Sequence, residues 1–315
     1  MIIYTLLFTL VGKDPAENRY IEMFYIWLSY VFRYAGLGPG DKVCILLDEK
    51  TLAQMNNDPF LGTLLGKSTG IGTEYYIIDQ PRTLSEGIAE RYNEKYINLF
   101  QGFTIFTDLD VLIIKSLKNI EPVPFDTIRV VAEGNIYNPD YGGHVLERNP
   151  EYEGFPGLTG AIFAFICGPR IAQMFNNIRE ACLKQDPPYY TIDQPFFNKF
   201  IYESVFRNDH IVAAFSQELV KNNDLYPTES VVFVNFCGGP GEGTRHHQKM
   251  LVMLCMTLFT GLVTHDQPEK QEEPPSQSGL PLKEEDLLQS EACPPEESSA
   301  AQPEEEHLRS QSPSA

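Results

Sequence analysis

Short apolar runs alternate with stretches of helical periodicity along the first 264 residues. Ile2-Ile3-Tyr4-Thr5-Leu6-Leu7-Phe8 opens a strand over residues 1–10. A helix is predicted from Ala16 to Ala35, with Met23, Phe24, Trp27, Leu28 and Val31 covering well over half its surface, so it should pack deep in the molecule. Gly36 and the Gly38-Pro39-Gly40 turn end it. Val43 to Leu47 and Tyr75 to Ile78 read as further strands, each closed by an acid, Asp48 and Asp79. A helix over Ser85–Phe100 then leads into Phe103-Thr104-Ile105-Phe106-Thr107-Asp108-Leu109-Asp110-Val111-Leu112-Ile113. Strands this continuously apolar predict an α/β domain with a Rossmann-like, mostly parallel central sheet and helices on both faces.

The second half repeats the theme with more punctuation. Gly157-Leu158-Thr159-Gly160 reads as a glycine turn entering a short apolar strand from Ala161, where backbone can approach a ligand closely. Asp193 and Gln194 stand at the start of a predicted helix, a position that also suits an N-cap acid. The run Val231 to Val234 leads into Asn235-Phe236-Cys237-Gly238-Gly239-Pro240-Gly241, and Arg245, His246, His247 and Lys249 follow closely. Flexible backbone amides beside Arg and Lys suit a diphosphate.

Charge sharpens the domain picture. The formal net charge is −19; residues 265–315 hold 13 acids and 3 bases, a net of −10, leaving −9 for residues 1–264. That stretch also has eight prolines and few large apolar residues, so it reads as a disordered acidic tail after a single domain at 1–264. No basic stripe interleaved with aromatics occurs, which argues against a nucleic-acid partner. The six cysteines form no CxxC pair and sit mostly in apolar runs, as reduced core thiols of a cytoplasmic protein would. Residues 250–264 are apolar but fall short of the ~20 residues a membrane span needs. They read as a buried terminal helix rather than an integral span, with membrane association through this segment as the alternative.

The chemistry starts at Asp108 and Asp110. Two carboxylates one residue apart at a strand end are expensive to bury unless a cation or donors neutralise them. Hard divalent ions such as Mn2+ or Mg2+ prefer such oxygen ligands, with substrate phosphates completing the shell. In an open α/β sheet this is also where ligands bind, beyond the carboxyl ends of the strands. There is no Gly-x-Gly-x-x-Gly after the first strand and no Walker loop, so dinucleotide and P-loop assignments lack support.

Taken together these segments resemble the GT-A glycosyltransferases, nearest to the glycogenin-like and bacterial galactosyltransferase branch. The resemblance spans roughly residues 1–264 and rests on four segments in the family's order. They are Phe106-Thr107-Asp108-Leu109-Asp110, Leu158-Thr159-Gly160-Ala161-Ile162-Phe163, Asp193-Gln194-Pro195-Phe196-Phe197-Asn198, and Asn235-Phe236-Cys237-Gly238 with Lys249. It implies a GT-A fold and transfer of a sugar from a nucleotide-sugar donor, UDP-sugar favoured, to a hydroxyl on a glycan, protein or small molecule. It further implies that Asp108 and Asp110 hold Mn2+ or Mg2+, and that Asp108, Gly160, Gly238 and Lys249 meet the donor. Arg91 or Lys95 matches a basic donor-binding position, and Tyr20 an aromatic that stacks on the base. Asp193 and Gln194 match the pair beside the anomeric carbon.

Two departures from the family pattern stand out. The late histidine that serves as third metal ligand is Asn235, a neutral and weaker oxygen donor for which His246 or His247 could substitute. The family's Asn-Ser is Leu158-Thr159. An inactive nucleotide-sugar-binding homologue and a nucleotidyltransferase sharing the metal acids are the alternative readings.

Overall fold

The computed structural model describes residues 1–66, 70–139, 141–142, 150–189, 191–207, 212–224, 227–236 and 253. Its centre is a seven-stranded sheet. Strands β1 (Ile2–Leu7), β2 (Lys42–Asp48) and β3 (Gly72–Ile78) run parallel on one side, and β4 (Phe103–Thr107) joins β1, also parallel. A short β5 (Val111–Ile113) leaves this sheet after the aspartate pair. β6 (Thr127–Asn135) and β7 (Pro156–Ile166) follow, β7 lying antiparallel to both β4 and β6. β8 (Val212–Ala214) closes the order β3-β2-β1-β4-β7-β6-β8, parallel to β6. β9 (Val220–Asn222) and β10 (Phe233–Asn235) form a second, three-stranded sheet with β5. Four of the six pairings in the main sheet are parallel, as the continuous apolar strands predict.

Both faces of that sheet are covered because successive strand residues point to opposite sides. In β1, Ile3 and Leu7 join one buried cluster while Ile2 and Tyr4 join the other; Val43, Ile45 and Leu47 of β2 separate likewise from Cys44 and Leu46. The first cluster is roofed by α1 (Tyr20–Tyr34), through Phe24, Trp27, Leu28 and Val31, with α2 (Glu49–Asn56) and α3 (Pro59–Gly66) beside it. α1 starts four residues later than the sequence pattern suggests, because Pro15–Glu17 is a separate turn of 3-10 helix capped by Asp14.

Asp48 ends β2 as expected and also caps α2. Its Oδ1 accepts from the backbone of Lys50 and Thr51, and its Oδ2 from Thr9 N–H and Thr51 Oγ1. That fully buried carboxylate therefore ties the ends of β1 and β2 together with four donors.

The predicted helix over Ser85–Phe100 is not one helix. It divides into α4 (Leu84–Ala89), a 3-10 turn at Glu90–Tyr92, and α5 (Glu94–Ile97). Asn93 causes the break: extended at φ −69° and ψ 118°, it caps α5 by accepting from Lys95 N–H. The break turns Arg91 and Tyr92 into the interior, where both are buried. α6 (Pro169–Lys184) and α7 (Gln194–Phe206) cover the second face, through Ile171, Phe175, Ile178, Phe197 and Ile201.

Gly157–Gly160 is also not a turn. It lies within β7, and the register slips there from Val130↔Phe163 to Val131↔Thr159, a bulge centred on Gly160 to Ile162. Among the described residues no helix is long and apolar enough to cross a membrane. The segment 250–264, apart from Met253, and the acidic stretch 265–315 lie outside the described residues.

Candidate functional site

β4 stops at Thr107, so Asp108 is the first residue beyond its carboxyl end. Asp108 N–H donates to Ala161 O in the β7 bulge and Val111 N–H donates back to Asp108 O, which closes the turn. Leu109 is buried inside this turn, whereas the Asp108 side chain keeps 37% of its surface exposed and Asp110 is half-buried. Trp27 Nε1 donates to Thr107 Oγ1 at 2.9 Å, pinning α1 to the last residue of the strand. Phe236 N–H donates to Asp110 O, so the end of β10 adjoins the pair, with Asn235 buried opposite Val111. Tyr20, half-exposed in the first turn of α1, stands near both acids. Burial first, and then the charges of Asp110 and Asp108, push its hydroxyl pKa up.

Arg91 is the hub. Its Nη1 donates to Asp108 Oδ1 at 3.0 Å and to Gly160 O at 3.2 Å, and its Nη2 to Asp193 Oδ1 at 3.3 Å. Its guanidinium lies over Phe106 at 5.0 Å and near the Tyr92 ring at 5.7 Å. Burial works against the positive charge, but the carboxylates of Asp108 and Asp193 outweigh it and hold the pKa above the ordinary arginine value. Arg91 Nε is buried with no hydrogen-bond partner.

Asp193 is only 4% exposed and precedes α7 at the N-cap position, yet its side chain makes no capping bond. Capping is therefore not its role. Oδ2 accepts instead from Tyr92 Oη at 2.6 Å, and Oδ1 from Arg91. The backbone turn that aims it inward places Ile192 at φ 52°, a strained conformation for a β-branched residue. Gln194 Oε1 accepts from Gly160 N–H at 3.2 Å. One turn along α7, Asn198 clamps Leu158: its Oδ1 accepts from Leu158 N–H and its Nδ2 donates to Leu158 O, both at 2.7 Å. Residues i and i+4 of the helix thus grip residues i and i+2 of the strand. The β7 bulge turns both backbone groups of Gly160 toward side chains of the site.

The structure therefore brings together Tyr20, Arg91, Asp108, Asp110, Gly160, Asp193, Gln194 and Asn235 from segments spread over the chain. Lys95 is not among them: it is exposed on α5, donates to Tyr96 Oη at 3.2 Å, and takes its raised pKa first from that bond and ring. Gly238, His246, His247 and Lys249 lie outside the described residues. Tyr92 carried no signal in the sequence; an aromatic beside a basic residue is too common to mark a site. Among the described residues no group of three His, Cys, Asp or Glu side chains is arranged to hold a metal ion. Asp108 and Asp110 still offer two carboxylates reachable from solvent, the donor chemistry of a hard divalent ion completed by phosphate oxygens.

No family model matches the chain, and no curated protein sequence matches it. Its structure is similar to the apo structure of WbbM, a bifunctional glycosyltransferase, with a TM-score of 0.52 and 12% identity over 84% of this chain and 51% of that chain. The chain thus spans about half the length of that protein. At this identity the likeness is one of fold: the chain has a glycosyltransferase fold.

Proposed function

We propose that this protein is a metal-dependent glycosyltransferase of GT-A type. It moves a sugar from a nucleoside-diphosphate donor, a UDP-sugar by preference, to an acceptor hydroxyl. The observation that carries this reading is Arg91, which joins Asp108 beyond β4 to Asp193 before α7, beside the bulged Gly160, within a glycosyltransferase fold. Asp108 and Asp110, with Asn235 or a histidine from 246–247, are the residues that would hold Mn2+ or Mg2+. When bound, the ion stabilises charge developing on the leaving diphosphate.

This chain's own residues supply the rest. Arg91 keeps a permanent positive charge beside the same region, and the Tyr92–Asp193 bond holds its guanidinium in place. Tyr20 offers a half-exposed ring in front of the acids for a base to stack on. Gly160 lets the strand backbone lie close against the site: a methyl group there would meet Asp193 Oδ2 at 3.4 Å and Tyr92 Oη at 3.6 Å. Lys249 is proposed to contact the diphosphate.

A binding protein without turnover is the second reading. It is favoured by the burial of Asp193 and the engagement of both its oxygens, which leaves it poorly placed to take a proton from an acceptor. A panel of nucleotide sugars incubated with Mn2+ decides the matter. Release of nucleoside diphosphate supports transfer, and saturable binding without release supports the second reading. Pyrophosphate released from a nucleoside triphosphate and a sugar phosphate would identify a nucleotidyltransferase and overturn both.

A further inference from the structure

Resting on the metal-site reading, we propose that Arg91 is a resident cation for the aspartate pair. It occupies Asp108 until a divalent ion arrives with an anionic diphosphate, so that ion and diphosphate bind cooperatively.

A cation taking Asp108 Oδ1 competes with Arg91 Nη1, which holds that oxygen at 3.0 Å. The guanidinium has little room to retreat from it. Nη2 remains on Asp193, Nη1 also donates to Gly160 O, the group lies over Phe106, and the Arg91 carbonyl accepts from Tyr4 Oη. An ion at the aspartate pair therefore faces a fixed positive charge that is itself buried and poorly screened by water, and repulsion weakens its binding. A diphosphate carries the negative charge that attracts both cations at once. Each ligand then raises the affinity for the other by the same factor.

The experiment measures Mn2+ binding, not turnover, by counting free Mn2+ with electron paramagnetic resonance, in the absence and presence of uridine or guanosine diphosphate, each against the same nucleotide and Mn2+ without protein. Removing Arg91 alone would strand the buried Asp193 charge, so Arg91→Gln is made in an Asp193→Asn background and compared with Asp193→Asn itself. Emission from Trp27, the single tryptophan, reports folding beside the site through its bond to Thr107.

Wild-type protein should bind Mn2+ on the order of tenfold or more tightly once nucleotide is present. The double variant should bind Mn2+ alone on the order of tenfold more tightly than Asp193→Asn, and its gain from nucleotide should be smaller, leaving only what direct ligation by the phosphates supplies. Equal gains in the double variant and Asp193→Asn would overturn the inference while leaving the metal site standing. Absence of Mn2+ uptake by the wild type with either nucleotide would remove the metal site, and the inference with it.

Discussion

Tyr92 donates its hydroxyl to Oδ2 of Asp193 over 2.6 Å, across 101 residues of sequence. The same ring stacks on Phe163 of β7 at 5.9 Å and 13°, so the bond joins the helix break before β4, the central sheet and the start of α7. It also fixes the far oxygen of the carboxylate that Arg91 holds. Tyr92→Phe keeps the ring and removes one charge-assisted donor. Stability to urea should fall by about 2 kcal/mol, with Arg91 less firmly placed. Unchanged stability would show that the hydroxyl is not needed to satisfy Asp193.

The alkaline limb of stability should carry the mark of Tyr92 and Tyr4. Burial is the largest cause raising both hydroxyl pKa values well above the ordinary 10.0. Below pH 10 both are protonated in the folded and unfolded chains, so their contribution is fully present and has no slope. Above it the unfolded chain releases protons that the folded one keeps, and stability falls as pH rises. Urea midpoints at rising pH should decline, less steeply in Tyr92→Phe. Identical slopes in the two proteins would contradict the assignment.

Asn198→Ala should be among the more damaging single changes. It leaves the N–H and C=O of buried Leu158 without their side-chain partner and frees the start of α7 from β7. A loss of about 3 kcal/mol is expected from denaturant unfolding. A loss below about 1 kcal/mol would mean water replaces the amide at little cost.

Two glycine substitutions should separate site from scaffold. At Gly160 an added methyl meets Asp193 Oδ2 and Tyr92 Oη at ordinary contact distance, so Gly160→Ala should fold normally. Its donor turnover should drop by on the order of tenfold, since the methyl presses on Asp193 and Tyr92, which hold Arg91 in place. At Gly168 the methyl would stand 2.5 Å from Asp126, whose carboxylate caps α6 through Arg170 and Ile171. Gly168→Ala should cost about 2 kcal/mol of stability. Thermal melts and donor hydrolysis on both variants check the contrast, and a Gly160→Ala protein with full turnover would show that packing beside Gly160 does not set the placement of Arg91.

Mn2+ with nucleoside diphosphate should raise the melting temperature of the wild type more than Mn2+ alone, because each binds the folded state. Replacing both Asp108 and Asp110 with Asn should abolish the shift and leave secondary structure intact. A shift that persists in the double variant would place any ion elsewhere.

Truncation after Thr264 removes the proline-rich, acidic stretch and should leave melting temperature and donor turnover unchanged. A drop of several degrees would show that residues 265–315 contribute to the folded domain.

What the sequence by itself determined is local. Apolar runs with one periodicity and punctuation with another located β1, β2, β4 and α1, and the strand-formers before Asp108 placed it beyond a carboxyl end. Those patterns survive because each depends on neighbours a few residues away. The tertiary structure decided everything that required distant segments to meet. Asn93 could not be known to break the helix over Ser85–Phe100 without the interior that receives Arg91 and Tyr92. The bulge at Gly160 exists only in register with Val130 and Val131. Asp193 satisfied the pattern of a helix cap equally well, until Arg91 and Tyr92, more than 100 residues earlier, supplied stronger donors and drew its carboxylate inward. A buried charge is settled by whichever partners the fold brings within about 3 Å, and no local periodicity encodes that choice.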